Sequence, residues 1–173
     1  TMNDAMDLLD SDKYKALVIG HQGANFCAGA NLANMIQTID AGEFDKIEAS
    51  LKQFQDLMQR IRFSKSPVVA APHHLALGGG FEISAPASHR IALGELYMGA
   101  VEIGVGLVPG AGGNLRILLN LFGNSKSGML NAFQVSQKAF ETIAFAKVSR
   151  SAIEAKSLGY LLKSDTVIIN NDQ

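Results

Sequence analysis

The sequence predicts an α/β fold, and two observations carry that expectation. Short apolar or β-branched runs (15–19, 68–71, 90–93 and 166–169) are separated by turn residues and helical patterns. The order strand–turn–helix recurs, as crossover connections in an α/β domain require. The second observation is one long amphipathic segment. From Phe44 to Ile61, Phe44, Ile47, Leu51, Phe54, Leu57, Met58 and Ile61 fall at helical spacing, with Asp45, Lys46, Lys52, Asp56 and Arg60 on the other face.

In chain order, Met2–Leu9 reads as a short helix and Lys15–Ile19 as a buried strand. Gly29–Ile36 is expected to open a helix after a glycine turn. The Phe44–Ile61 helix is closed by Ser66-Pro67, because the residue before proline is pushed out of the helical region. Val68–Ala71 is a β-branched strand. A short helix is expected to begin near Gly80 and to stop early at Pro86. Arg90–Leu93 and Leu96–Met98 read as brief strands. Leu115, Leu118, Leu119 and Phe122 mark one further helix, and Phe133, Phe140, Ile143 and Ala144 another. Ser151-Ala152-Ile153-Glu154 has the capping-box pattern, and Gly159 supplies the stop. Thr166–Ile169 is the last strand.

With 173 residues, the chain is expected to form a single domain, spanning 1–173, with a real core. A formal net charge of −1 leaves no electrostatic footprint for nucleic acid or an anionic membrane. No apolar run is long enough to span a bilayer. The single cysteine, Cys27, excludes an intrachain disulfide framework and suits a reducing compartment. No secretory signal pattern opens the chain, so a cytoplasmic location is expected. The first residue is Thr1 rather than Met, as in a piece of a longer protein.

Three glycine-framed segments carry the chemistry: Asn25-Phe26-Cys27-Ala28-Gly29-Ala30-Asn31-Leu32, Ala76-Leu77-Gly78-Gly79-Gly80-Phe81-Glu82, and the stretch from Glu102 through Gly104, Gly106, Pro109 and Gly110 to Gly112-Gly113. A glycine run entering a helix can present bare N–H groups, and the helix start adds partial positive charge. Such donors can hold a developing oxyanion; equally, three glycines can simply make a tight turn. Glu82, among Phe81, Ile83 and Ala85, is expected to be partly desolvated, which raises a carboxyl pKa and suits proton transfer. A solvated first-turn glutamate is the plainer alternative, and for Glu102 an ordinary surface carboxylate. Gly104-x-Gly106 lacks the third glycine of the dinucleotide fingerprint, since position 109 is Pro. There is no Gly-x-Ser-x-Gly elbow and no metal-ligand spacing. His73 and His74 read as loop or packing histidines, and Cys27 as a small buried hydrophobe.

The three segments, in this order and spacing, resemble the enoyl-CoA hydratase/isomerase (crotonase) superfamily. The resemblance is closest over Lys15–Arg116. The later stretch Ala146–Leu161 is most similar to the hydratase part of fused 3-hydroxyacyl-CoA dehydrogenase/enoyl-CoA hydratase proteins. The resemblance implies a spiral of ββα turns, here short of strands before Lys15 and of helices beyond the last residue. It implies an acyl-CoA thioester substrate, no cofactor or metal beyond the substrate's own coenzyme A, assembly as a homo-oligomer (a trimer), and a dehydrogenase domain elsewhere in a full-length chain. By position, the N–H groups of Ala28 and Gly79 would form the oxyanion hole, and Glu82 and Glu102 would hold and activate water. Ala28–Ala30 would lie beside the CoA moiety, with Gly110 in the loop over the reacting carbons. The implied reaction is hydration of trans-2-enoyl-CoA in fatty-acid β-oxidation. Alternatives are an enoyl-CoA isomerase, a silent fragment that binds acyl-CoA, and, more remotely, a serine peptidase on a related fold. Asn31, His74 and Ser88 depart from residues common in the family, namely Asp, Gly and Asp.

Overall fold

The computed structural model describes residues 1–125 and 131–170. Its strands form two parallel sheets. The first has the order β1-β2-β4-β6, built from β1 (Leu17–Ile19), β2 (Val68–Ala70), β4 (His89–Leu93) and β6 (Thr166–Ile168); the second pairs β3 (His74–Leu77) with β5 (Leu96–Gly99). A bridge between Cys27 and Ala76 extends the second sheet on its other side. The chain thus visits the first sheet, then the second, then a helix. β2 and β3 lead into α4 (Gly79–Ser84), and β4 and β5 lead toward α5 (Gly113–Asn124). This is the expected mixed α/β spiral of ββα turns.

Three elements differ from the sequence expectation. Gly29, at φ 100°, cannot start a helix; α2 runs Leu32–Asp40 instead, capped by the Asn31 side chain, which accepts from the Asn34 N–H. Asn31 is therefore a sound cap where the family commonly has Asp. β3 has no β-branched residue and reads as loop, yet Cys27 and β5 pair with it on either side. His74 opens it at φ 45°, the left-handed region, which explains why glycine is common there. Finally, β1 is not buried throughout, because Val18 is 67% exposed on the open face of the first sheet.

The other elements follow the pattern closely. α1 (Met2–Asp10) is fastened to α3 (Phe44–Arg62) by Arg60, which donates to Asn3, Asp7 and Asp10. α7 (Ala152–Leu158) is capped by Ser151 and stopped by Gly159 in the left-handed conformation. Its capping box is only half as expected: Glu154 reaches back to the N–H of Arg150, one residue before the cap. Ser88 bonds both the N–H and the C=O of Val68, tying β2 to the start of β4.

The helices α5 and α6 (Ala132–Ala144) are present as expected, and several of the apolar residues that mark them face outward. Leu115, Leu119 and Phe122 point outward, as do Phe133 and Phe140 at 75% and 68% exposure. The buried face of α5 instead holds Ile117, Leu121, Asn120 and Asn124. Those two asparagines donate to the carbonyls of Gly159, Tyr160, Lys156 and Leu161, satisfying the backbone where α7 ends.

Candidate active site

A cavity of about 660 Å³ opens between the second sheet and the helices α2 and α3. Every site residue singled out from the sequence lines it: Ala28, Ala30, Gly79, Glu82, Glu102 and Gly110. Neither the Ala28 nor the Gly79 N–H donates to a protein acceptor in the hydrogen-bond network of the described residues.

The three glycines before Glu82 are not equivalent. Gly78 sits at φ 52°, ψ −121°, a conformation that side chains strongly disfavour. A Cβ at Gly80 would lie 2.3 Å from the Cys27 carbonyl oxygen, so the close approach of α4 to the Cys27–Ala76 bridge requires its absence. A Cβ at Gly79 would meet only the Phe54 ring, at an ordinary 3.8 Å. Gly80→Ala is therefore expected to cost about 1–3 kcal/mol by overpacking, and Gly79→Ala within about 0.5 kcal/mol. Chemical denaturation of the two variants checks this; equal losses would contradict it.

Glu82 is 4% exposed in the first turn of α4. Its Oε1 accepts from the N–H groups of Ala111 and Gly113 at 2.8 and 2.9 Å. Burial pushes its pKa up from the ordinary value, and the two N–H donors oppose that rise without cancelling it. Glu102 begins a single 3₁₀ turn, Glu102–Val105. It is not the surface carboxylate of the plainer reading: its Oε2 is buried and has no protein donor. Its pKa is also raised, mainly by burial; its own backbone N–H opposes the shift, and the nearby Glu82 charge adds to it. The two carboxyls thus titrate as neighbours.

Some of the site was not legible in the sequence. The Ala111 and Gly113 N–H groups that hold Glu82 lie in a stretch read only as a glycine-rich loop. The α3 stripe, read as one apolar face, divides: Leu57, Met58 and Ile61 are buried in the core, whereas Ile47, Leu51 and Phe54 line the cavity. Gln55, on the same helix, donates to the Gly110 carbonyl at 2.7 Å and pins the loop beside the carboxylates. His73 packs edge-on against Phe26, and its Nε2 lies 3.0 Å from the Gly23 carbonyl. Among the described residues, no group of three or more His, Cys, Asp or Glu is arranged to hold a metal. None of their helices is long and apolar enough to cross a membrane.

This spiral, with its glycine turns and paired glutamates, defines a crotonase-type domain. Residues 1–156 match the family described as enoyl-CoA hydratase/isomerase, and the chain belongs to it. Among its relatives is a probable 3-hydroxyacyl-CoA dehydrogenase of Bacillus subtilis (strain 168), 45% identical over 159 residues, covering 92% of this chain and 20% of that protein. The crotonyl-CoA hydratase of Syntrophomonas wolfei is 32% identical over 120 residues, covering 67% of this chain and 44% of the other. An enoyl-CoA hydratase structure from Polaromonas sp. JS666 superposes with a TM-score of 0.77 over 99% of this chain and 61% of that one, at 22% identity, which shows the shared fold. The chain therefore spans a fifth of the Bacillus protein and less than half of the Syntrophomonas enzyme.

Proposed function

We propose that this domain adds water to the double bond of a trans-2-enoyl-CoA, giving the 3-hydroxyacyl-CoA, as a step of fatty-acid β-oxidation. The observation that carries this reading is the pair of desolvated glutamates facing one cavity with two uncommitted backbone N–H groups. Hydration builds negative charge on the thioester oxygen, and the Ala28 and Gly79 N–H donors answer that charge. The reaction also removes a proton from water and delivers one to Cα. In this reading Glu82, held by two N–H donors, is the ionised base that takes the water proton as oxygen bonds Cβ. Glu102, desolvated and beside a negative neighbour, is the acid that protonates Cα. Opposite protonation states in adjacent carboxyls are what mutual repulsion favours. No cofactor takes part beyond the coenzyme A of the substrate.

The relatives' names support this reading and add one proposal, that the domain works within a longer protein that also carries a dehydrogenase. A second proposal rests on the family resemblance alone: the domain assembles as a homo-oligomer, a trimer. The test is loss of the conjugated thioester absorbance of a short 2-enoyl-CoA in water labelled with heavy oxygen. Label in the product supports hydration. Double-bond migration without label would instead identify an isomerase, which needs only one carboxylate.

A further inference from the structure

We propose that Tyr160 is a positioning residue that holds the Glu102 segment in register with the Glu82 helix, and that turnover depends on its hydroxyl. The inference rests on the hydratase reading above. Tyr160 lies just past the α7 stop and is fully buried. Its backbone is fixed from two sides, by its own N–H to the Ala155 carbonyl at 2.9 Å and by the Asn120 amide to its carbonyl at 3.4 Å. From that anchored base the side chain reaches both carboxylate-bearing elements. Its ring packs edge-to-face on Phe81, with centroids 4.9 Å apart, and Phe81 precedes Glu82 in α4. Its hydroxyl accepts from the Ala100 N–H at 3.3 Å and donates to the Lys147 carbonyl at 2.5 Å.

Ala100 lies two residues before Glu102 on the strand exit from β5. That placement matters because Glu102 Oε2 has no protein donor to orient it. The position of its carboxyl is therefore set by the backbone that carries it. Besides the local turn bonds to the Val101 and Glu102 carbonyls, two bonds tie that backbone to other elements: Gly78 N–H to Gly99 C=O at 2.8 Å, and Ala100 N–H to the Tyr160 hydroxyl. The first ties Glu102 to the turn that starts α4, and the second ties it to α7. Removing the hydroxyl would leave the buried Ala100 N–H and the partly buried Lys147 C=O without that partner, and the segment would relax toward other acceptors. A shift of about 1 Å in a reacting group can cost ~10²-fold in rate.

A double-mutant cycle tests the idea in the natural full-length protein, using Tyr160→Phe, Glu102→Gln and the double variant with a short 2-enoyl-CoA. Tyr160→Phe is expected to lower kcat by roughly ten- to a hundred-fold with KM within about twofold, in line with that misplacement cost. In the Glu102→Gln background the same change is expected to alter kcat by less than about twofold, because the group it positions is gone. Equal losses in both backgrounds would make Tyr160 a general packing residue and overturn the proposal. Parental kcat in Tyr160→Phe, with a slow Glu102→Gln, would overturn it too while leaving the hydratase reading intact. Parental kcat in Glu102→Gln alone would overturn both. Should Tyr160→Phe not fold, 3-fluorotyrosine at position 160 keeps the ring in place and weakens the oxygen as an acceptor. A lowered kcat supports the role, and an unchanged one overturns it.

Discussion

Replacing either glutamate by glutamine is expected to lower the proposed hydration rate by roughly 10²–10⁴-fold, the span usual for a positioned acid or base. Glu82→Gln keeps an oxygen that can accept from Ala111 and Gly113, so the contacts of the loop are retained while the ionisable group is lost. Glu102→Gln removes the ionisable proton at a buried oxygen that has no protein donor. Both changes are expected to act on kcat, because neither alters the Ala28 and Gly79 N–H groups through which the proposed reading binds the thioester. Parental rates in both single variants would sink the assignment.

The same variants carry a stability signature with a definite sign. Burial raises the folded pKa of Glu82 and of Glu102 above the ordinary 4.5. Folding therefore favours the protonated forms. Their contribution is fully present below about pH 4.5 and is lost as pH rises through the folded value. Above its folded pKa each glutamate is an ionised carboxylate held in a desolvated cavity, and a glutamine there carries no charge. Each Gln variant is thus expected to be at least as stable as the parent at pH 7, with the gap closing as the solution is acidified. Thermal denaturation across that window reads it directly. A Gln variant that is slow and also clearly less stable at pH 7 would point to a structural role instead.

Asp165→Ala is expected to destabilise the fold by about 3–5 kcal/mol, the cost of stranding one half of a buried ion pair. Asp165 and Arg90 are both buried, at 3% exposure each. Arg90 Nε donates to Asp165 Oδ2 at 2.7 Å, and the Arg90 and Leu162 N–H groups donate to the same carboxylate. Arg90 also donates to the Ala85 carbonyl at 2.7 Å. The pair therefore joins β4, the end of α4 and the turn before β6. With the carboxylate gone, the guanidinium stays in the interior with only carbonyl partners. Equilibrium unfolding in urea measures the loss. A change under about 1 kcal/mol, as for an exposed pair, would show that water reaches the site.

Nothing in the sequence singled out Asp165, and the reason is general. Asp165 and Arg90 are 75 residues apart, and no local pattern marks a charge that burial alone makes important. The same limit explains α5 and α6. Helical periodicity located both, because the period is a local property of the chain. It could not say which face turns inward, because that depends on what the rest of the fold presents. Around α5 the neighbour is the end of α7, rich in free carbonyls, so Asn120 and Asn124 face in and Leu115 and Leu119 face out. For α3, one continuous apolar stripe became core at one end and cavity wall at the other.

The sequence alone sufficed for what is encoded in short stretches: the α/β class, the helices and stops, the glycine turns, and the two glutamates in their motif. Backbone conformation and periodicity are near-neighbour effects, and glycine spacing is a direct record of where side chains cannot fit. Only the tertiary structure decided what depends on distant segments meeting. It set Glu82 on the Ala111 and Gly113 N–H groups, left Glu102 Oε2 buried without a protein donor, and placed Tyr160 between the two carboxylate segments. Burial and dielectric are properties of the assembled interior, and they raise the pKa of two otherwise ordinary glutamates.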